Sequence, residues 1–195
     1  MNRKKSKPVI LAIAGPNGSG KTTISRCLHL IGTYINADDL KKQYNLSDLE
    51  AAELAESFRA ALVNSSKSIT FETVLSTTRN LHLLQTAKAQ GYEVQCIYVL
   101  TCDENINVAR VKARCTAGGH DVPEAKIRER YHRALALLPE VIDICDNIII
   151  YDNSSVPHPI FEKAYSDLSI YPSGSWSKVE LRSLLGEIIW KKCVK

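Results

Sequence analysis

Eight residues near the start of the chain constrain its fold more than any other segment. They run Gly-Pro-Asn-Gly-Ser-Gly-Lys-Thr over residues 15–22 and match the phosphate-binding P-loop pattern at every fixed position. An apolar run over residues 9–14 precedes them, and a segment with helical character follows. Glycines let backbone N–H groups converge on phosphate oxygens, and a helix start adds partial positive charge. The segment therefore predicts a nucleoside triphosphate site between a buried strand and a helix.

The predicted ATP-binding residues are the loop and the residue that follows it. They are Gly15, Pro16, Asn17, Gly18, Ser19, Gly20, Lys21, Thr22 and Thr23. The Lys21 ammonium is expected to reach the β- and γ-phosphates, and the Thr22 hydroxyl to bind Mg²⁺. ATP and Mg²⁺ are therefore the expected cofactors.

Alternation of apolar and helical segments predicts the rest of the fold. Strands are expected over residues 9–14, 33–36, 69–72, 94–100 and 148–151. Helices are expected over residues 21–30, 47–64, 79–90, 105–116, 123–138 and 178–192, with Ser47 and Asp121 as N-caps. This order indicates an α/β fold with a mostly parallel central sheet and helices on both faces. We expect one domain over residues 1–195, with a C-terminal extension from about residue 155, where the pattern is lost.

Basic residues cluster at the two ends of the chain, which changes what the net charge of +4 indicates. They are Arg3, Lys4, Lys5 and Lys7 at one end, and Lys191, Lys192 and Lys195 at the other. Without these seven residues, the chain has 18 basic and 21 acidic side chains. A basic terminus, here residues 1–7, is typical of a solvated tail. We therefore do not expect nucleic acid as the main partner.

The composition is typical of a cytoplasmic globular protein. Hydrophobic residues make up 45% and charged residues 24% of the chain, both ordinary values. The longest apolar run, residues 9–14, is far shorter than the roughly 20 residues that span a bilayer. The six cysteines have no regular spacing, so reduced and mostly buried thiols are expected. These features predict a cytoplasmic protein without membrane contact.

Acidic residues follow two of the predicted strands. Asp38 and Asp39 come after the second strand, and Glu72 followed by Thr73 ends the third. Ligands of such sheets bind at the carboxyl ends of the strands, where a carboxylate accepts a proton from an attacking hydroxyl or holds Mg²⁺. Glu72 and Thr22 are therefore the predicted metal ligands. The alternative for the two aspartates is a helix cap with a solvated neighbour.

An arginine-rich region, residues 105–138, forms a predicted helical lid. It contains Arg110, Arg114, Arg128, Arg130 and Arg133, with a glycine-containing hinge over residues 117–123. Guanidinium groups over the phosphates would neutralise charge that develops in the transition state. The alternative is a solvated surface, with Glu124 and Glu129 as ion-pair partners. This alternative is expected to account for Arg133 and for one or two others.

Five short blocks in this order resemble the zeta-toxin-like P-loop kinases. The blocks are the P-loop with Thr23, residues 35–38, residues 71–73, residues 118–131 with Gly-Gly-His-Asp-Val-Pro-Glu, and residues 151–154. The resemblance covers roughly residues 8–155. It implies an ATP-dependent kinase that phosphorylates the 3′-hydroxyl of UDP-N-acetylglucosamine. It also implies a partner antitoxin that blocks ATP binding, although no partner is derivable from one chain.

The resemblance assigns roles to individual positions. Asp38 matches the catalytic aspartate, Lys21 and Thr22 the P-loop pair, and Glu72 with Thr73 the sugar-nucleotide contacts. His120 stands where the family has a phosphate-binding arginine. Arg128 or Arg130 is then expected to replace that arginine, with Arg110 or Arg114 as the second catalytic arginine. The predicted acceptor-binding residues are Asp38, Glu72, Thr73 and His120.

Three functions remain open from the sequence. The first is a kinase that acts on a hydroxyl of a small phosphorylated or nucleotide-linked metabolite. The second is a transport or repair ATPase module, although its Leu-Ser-Gly-Gly-type signature is absent from the sequence. The third is a regulatory ATP-binding protein without turnover.

Overall fold

The computed structural model describes residues 7–119 and 121–193. Within them the chain forms one seven-stranded sheet in the order β2-β3-β1-β4-β5-β6-β7. The strands are β1 (Val9–Ala14), β2 (Thr33–Ile35), β3 (Ile69–Thr73), β4 (Glu93–Leu100), β5 (Asn147–Asp152), β6 (His158–Ala164) and β7 (Asp167–Ile170). Strands β1 to β5 run parallel, whereas β6 and β7 are antiparallel to their neighbours. The mostly parallel sheet is therefore confirmed.

Helices connect and flank these strands. Those in the described residues are α1 (Lys21–Ser25), α2 (Ala37–Tyr44), α3 (Asp48–Asn64), α4 (Thr78–Ala89), α5 (Glu104–Thr116), α6 (Glu124–Ile144), α7 (Lys178–Leu185) and α8 (Glu187–Cys193). The predicted cap of α3 is confirmed: the Ser47 hydroxyl accepts from the Glu50 N–H at 3.3 Å, and the Glu50 carboxylate accepts from the Ser47 N–H at 2.8 Å. The helix α2, which begins directly after β2, was not predicted.

Helices lie on both faces of the sheet, as two adjacent residues of β3 demonstrate. Glu72 is hydrogen-bonded to Ser25 of α1, whereas Phe71 lies under Arg59 of α3. Consecutive strand residues point to opposite faces, so α1 and α3 lie on opposite sides. The α3 face is fully buried along β4 and β5, while alternate residues on the α1 face are only partly covered. The prediction of helices on both faces is therefore confirmed, with closer packing on the α3 face of these two strands.

Three predicted helix boundaries were also wrong. The helix α1 ends at Ser25 because Cys27 and Leu28 donate to carbonyls three residues back, which tightens the last turn and leaves the α-helical ladder. The helix α6 continues past residue 138 through Pro139 to Ile144, since Val141 and its neighbours remain buried against the core. The last predicted helix splits at Gly186, whose φ is +80°.

The N-cap prediction for α6 was wrong as well. Pro123 precedes the helix and no side chain caps it. The Asp121 carboxylate instead accepts from the thiol of Cys115 at 3.2 Å.

The region after Asp152 contains more regular structure than its sequence indicates. It continues the sheet with β6 and β7, so the expectation that the strand pattern ends there was wrong. Pro159 weakens the sequence signal for β6, because proline has no N–H to donate to a neighbouring strand. The register between β5 and β6 shifts where Pro159 pairs with Tyr151, so the ladder accommodates it as an irregularity.

The two helices of the lid region pack on each other through a small apolar cluster of their own. Val108 and Val111 of α5 contact Val122 and Ile127, and this cluster is separate from the main core. The two helices are joined at Gly118, whose φ of +81° is a left-handed conformation suited to glycine. His120 lies outside the described residues.

The structure also bears on the expectations about the cysteines and about membrane segments. All six cysteines are free, but only Cys96 and Cys145 are buried, so the expectation of mostly buried thiols was wrong. Cys27, for example, lies beyond the early end of α1 and is exposed. Among the described residues, no helix is long and apolar enough to cross a membrane.

Candidate active site

The P-loop is held in place by two asparagines from distant parts of the chain. Asn107 of α5 donates to the Asn17 carbonyl at 2.6 Å, and Asn153 after β5 donates to the Ser19 carbonyl at 2.7 Å. Both side chains are buried. The loop comes so close that a Cβ on Gly18 would lie 2.5 Å from the Asn107 carbonyl oxygen, and one on Gly20 2.2 Å from the Asn153 amide. Both glycines have positive φ, so their lack of a side chain shapes the loop.

The P-loop lysine lies folded against its own loop. Its ammonium donates to the carbonyls of Gly15 and Pro16, at 2.7 and 2.9 Å. Burial lowers the pKa of Lys21 to about 8; the carboxylates of Glu72 and Asp38 oppose this effect only in part. The helix α1 begins at Lys21, and the N–H groups of Thr23 and Ile24 both donate to the Gly20 carbonyl, which closes its first turn. The arrangement is suited to phosphate oxygens.

The lowered pKa of Lys21 predicts a pH-dependent affinity for ATP. Below pH 8 the ammonium is mostly charged, and above it mostly neutral, so the affinity is expected to fall as the pH rises from 7 to 9. Phosphate oxygens favour the charged form, so ATP binding at pH 8.5 is expected to take up a proton. Calorimetry in buffers with different ionisation enthalpies measures this uptake. Binding without proton uptake, or an affinity that rises with pH, would contradict the prediction.

Glu72 is the centre of a polar cluster at the end of β3. Its carboxylate accepts hydrogen bonds from the hydroxyls of Thr22 at 3.1 Å, Ser25 at 2.8 Å and Tyr34 at 2.7 Å. Burial and this carboxylate raise the pKa of Tyr34, although the Asn36 amide opposes them, so the phenol remains a donor. Two other segments of the chain, α1 and β2, thus hold this carboxylate in a fixed orientation beside the P-loop.

The two aspartates after β2 occupy different environments. Asn36 caps α2, since its side-chain oxygen accepts from the Asp38 N–H at 2.9 Å. The alternative that an aspartate serves as the cap was therefore wrong. Asp38 lines both cavities next to Lys21, whereas Asp39 is not among the described residues that line them. The structure brings Asp38, and not Asp39, to the P-loop.

The residues beside Thr22 fit a magnesium ion. Thr22 and Glu72 offer a hydroxyl and a carboxylate within 3.1 Å of each other, and Asp38 lies in the same cleft. Mg²⁺ prefers oxygen ligands and usually combines one or two protein groups with phosphates and water. The described residues form no cluster of three or more His, Cys, Asp or Glu that could hold a metal alone. The donor set therefore suits a nucleotide-bound Mg²⁺.

Two adjoining cavities, the first and second lobes of one cleft, meet at the P-loop. The first lobe, about 710 Å³, extends from Lys21 and Thr22 past Thr23 to Arg110 and Gly118. The second lobe, about 620 Å³, extends from the same P-loop residues to Glu72 and Thr73 at the end of β3. Gly18, Lys21, Thr22, Asp38, Lys41 and Arg114 line both lobes. A group transferred from one lobe to the other would pass these shared residues.

Four of the five lid arginines were candidates for catalysis, and they have different surroundings. Arg114 lines both lobes. Arg130 lines the second lobe and donates to the side chain of Asn17 at 3.4 Å. Arg110 lines the first lobe and donates to the Ser154 carbonyl at 3.3 Å. Arg128 is not among the described residues that line the lobes.

Surface ion pairs account for two arginines. Arg128 pairs with Glu104 at 2.7 Å and with Glu124 at 2.8 Å, and Arg133 pairs with Glu129. Both partner glutamates named from the sequence are thus used.

The sequence did not identify the two asparagines that fix the P-loop. Asn153 belongs to a block that was noted for its resemblance alone, and Asn107 looks like any polar residue in a helix. A helical stripe of apolar residues that includes one asparagine would have been the available signal: Asn107 and Val108 are buried side by side in α5, followed by Val111.

Comparisons with known proteins agree with this geometry. Residues 1–158 match the family model of the zeta toxins. A protein of Haemophilus influenzae (strain ATCC 51907 / DSM 11121 / KW20 / Rd), described as uncharacterized, is 31% identical over 123 residues, which is 60% of this chain and 88% of that protein.

Solved structures share the fold at low sequence identity. A chain of the PezAT chromosomal toxin–antitoxin system of Streptococcus pneumoniae is 19% identical with a TM-score of 0.60, over 97% of this chain and 87% of that one. The AvrRxo1-ORF1:-ORF2 complex with ATP is 17% identical with a TM-score of 0.68, over 84% of this chain and 60% of that one. Because the family model spans most of the sequence, P-loop included, the chain belongs to the zeta toxin family of P-loop kinases.

Proposed function

We propose that the protein transfers the γ-phosphoryl group of ATP, with Mg²⁺, to a hydroxyl of a small acceptor. A nucleotide-linked sugar such as UDP-N-acetylglucosamine is the first acceptor to test. The observation that carries the proposal is the meeting of Lys21, Asp38 and the Thr22–Glu72 pair where the two lobes join. An ATPase needs only water at that point, whereas a second lobe of about 620 Å³ suits a small organic acceptor.

The proposed reaction is one in-line displacement. ATP lies in the first lobe, with its phosphates on the P-loop amides and the Lys21 ammonium. The acceptor hydroxyl lies in the second lobe, and its oxygen attacks the γ-phosphorus while the bond to the β-bridging oxygen breaks. Asp38 takes the hydroxyl proton. Thr22 and Glu72 would hold Mg²⁺, which supplies charge neutralisation for the phosphates.

The lid arginines are proposed to neutralise the remaining charge of the transition state. Arg114 and Arg130 are the best placed for this role, because Arg114 lines both lobes and Arg130 donates to the Asn17 side chain of the P-loop. Alanine at the more important of the two is expected to lower kcat and kcat/KM together by about 10³-fold. Arg110 is proposed to contact ATP, and Arg128, held by two glutamates, to affect turnover least.

Turnover at saturating ATP measures this ranking for alanine variants of Arg110, Arg114, Arg128 and Arg130. The fifth variant is His120→Ala, because His120 occupies the position of a family arginine. We expect it to cost less than the better arginine, since an arginine is always charged whereas a histidine donates from both ring nitrogens only when it is protonated. If His120→Ala is the most damaging, the arginine assignment is wrong.

The acceptor is tested with labelled ATP. The full chain is incubated with Mg²⁺, labelled ATP and either UDP-N-acetylglucosamine or a metabolite extract, and the products are separated. Label on a small molecule supports the kinase, free phosphate alone would indicate an ATPase, and neither would indicate a binding module. We also propose a cytoplasmic location and an antitoxin partner, the latter because a structurally similar chain comes from a toxin–antitoxin system.

A further inference from the structure

A buried arginine lines the second lobe, away from the P-loop. Arg59, on α3, is only 7% exposed, yet it contributes to the cavity wall. Its guanidinium lies over the ring of Phe71, 5.1 Å from the centroid. Arginine is rarely buried to this degree unless it is paired.

The guanidinium of Arg59 has no anionic partner among the described residues. Its Nε is buried and donates no hydrogen bond. Glu56, the nearest acidic residue in sequence, pairs instead with Arg79 at 3.5 Å. Burial lowers the pKa of Arg59, and Glu56 opposes this only in part. A buried charge without a counter-ion is costly, so the site is incomplete as it stands.

The position of Arg59 relates it to the proposed acceptor. Phe71 and Thr73 are two residues apart on β3 and point to the same face, which places them about 7 Å apart along the strand. Thr73 lies at the end of the strand near the P-loop, and Arg59 lies one step farther back. A molecule that reaches from Asp38 into the second lobe would therefore meet Arg59 at its far end.

We infer that Arg59 binds an oxyanion, phosphate or carboxylate, carried by the acceptor at a distance from the reacting hydroxyl. The inference rests on the proposed function, because the second lobe is where we place the acceptor. The planar fork of arginine forms two parallel hydrogen bonds with either group. Ala51 and Ala52, about two turns earlier on α3, line the same lobe with small side chains. Arg59 thus selects anionic acceptors over neutral ones.

Inorganic phosphate is the probe that tests this site without turnover. The full chain is saturated with Mg²⁺ and a non-hydrolysable ATP analogue, so that the P-loop is occupied, and phosphate is titrated at constant ionic strength while Tm is followed. The wild-type Tm is expected to rise with phosphate. The phosphate midpoint is the phosphate concentration that half-saturates the site, as derived from the dependence of Tm on phosphate. Arg59→Met is expected to raise this midpoint by roughly 10- to 100-fold. Arg133→Gln, which removes an exposed arginine of the same lobe, is expected to stay within about twofold of wild type.

The unliganded variants separate binding from a structural role. Arg59→Met is expected to have a Tm equal to or above that of wild type without phosphate, because it removes an uncompensated buried charge and still packs on Phe71. A lower Tm with an unchanged phosphate midpoint would mean that Arg59 is structural. Should Arg59→Met not fold, Arg59→Gln takes its place under the same criteria. No Tm shift in the wild type, with phosphate or with acetate, would also overturn the inference.

The comparison of phosphate with acetate distinguishes the two oxyanions, since the one with the lower midpoint identifies the group that Arg59 binds. Neither titration requires phosphoryl transfer, so this inference and the proposed function can fail separately. Once an acceptor is found, Arg59→Met is expected to raise its KM by 10- to 100-fold with kcat little changed.

Discussion

Lys21→Ala is expected to abolish phosphoryl transfer, with a fall of at least about 10²- to 10³-fold, while the fold remains intact. The lysine supplies positive charge at the loop, and within the described residues the hydrogen bonds of its ammonium go to the carbonyls of Gly15 and Pro16. Its removal deletes a charge that phosphates need, but it removes no side-chain packing from the core. Initial rates with saturating ATP and acceptor measure the first effect, and thermal unfolding the second.

The matched control is Lys178→Ala, which removes an exposed lysine at the start of α7. It is expected to keep both activity and Tm. If Lys21→Ala remained within a few fold of wild type, the P-loop would have no part in the reaction. If its Tm fell by many degrees, the loss of activity could not be assigned to charge.

Asp38→Asn is expected to lower turnover by about 10²- to 10⁴-fold, the usual contribution of a general base, with little change in ATP affinity. Asparagine keeps the size of the side chain and loses the ability to take the proton. Asp38 lies where the two lobes meet, beside Lys21. Its backbone N–H, not its side chain, binds the cap residue Asn36, so the helix start is preserved.

Asp39→Asn provides the internal comparison, because it makes the same change one residue later in the same exposed helical turn. We expect an effect of less than about threefold, as is usual for a surface polar substitution. The opposite ranking of the two variants in measured turnover would transfer the role of base to Asp39.

Local patterns made much of the fold predictable. The P-loop pattern and the apolar segments around it are contained in a few consecutive residues, and the strand–helix alternation follows from runs of similar length. The Ser47–Glu50 cap is another local signal, confirmed in both of its hydrogen bonds. What these features share is that each is decided by neighbours in sequence.

The features that were missed depend on contacts across the chain or on competing local effects. Asn107 and Asn153 support the P-loop from 90 and 134 residues away, so no window of sequence contains both partners. Pro159 concealed β6, because the ladder accepts a proline where its register shifts. Arg128 and Arg130 were equivalent in the sequence, and the pairing of Arg128 with Glu104 became visible only once α5 and α6 were packed together.

The most direct test of the central claim is a product measurement on the two matched proteins. Wild type and Lys21→Ala are incubated with Mg²⁺, ATP and UDP-N-acetylglucosamine or a metabolite extract, and small molecules and ADP are quantified by mass spectrometry. The account predicts one small molecule that gains a single phosphoryl group, in an amount equal to the ADP formed, in the wild type alone. ADP released with an equal amount of free phosphate and no phosphorylated acceptor would contradict it.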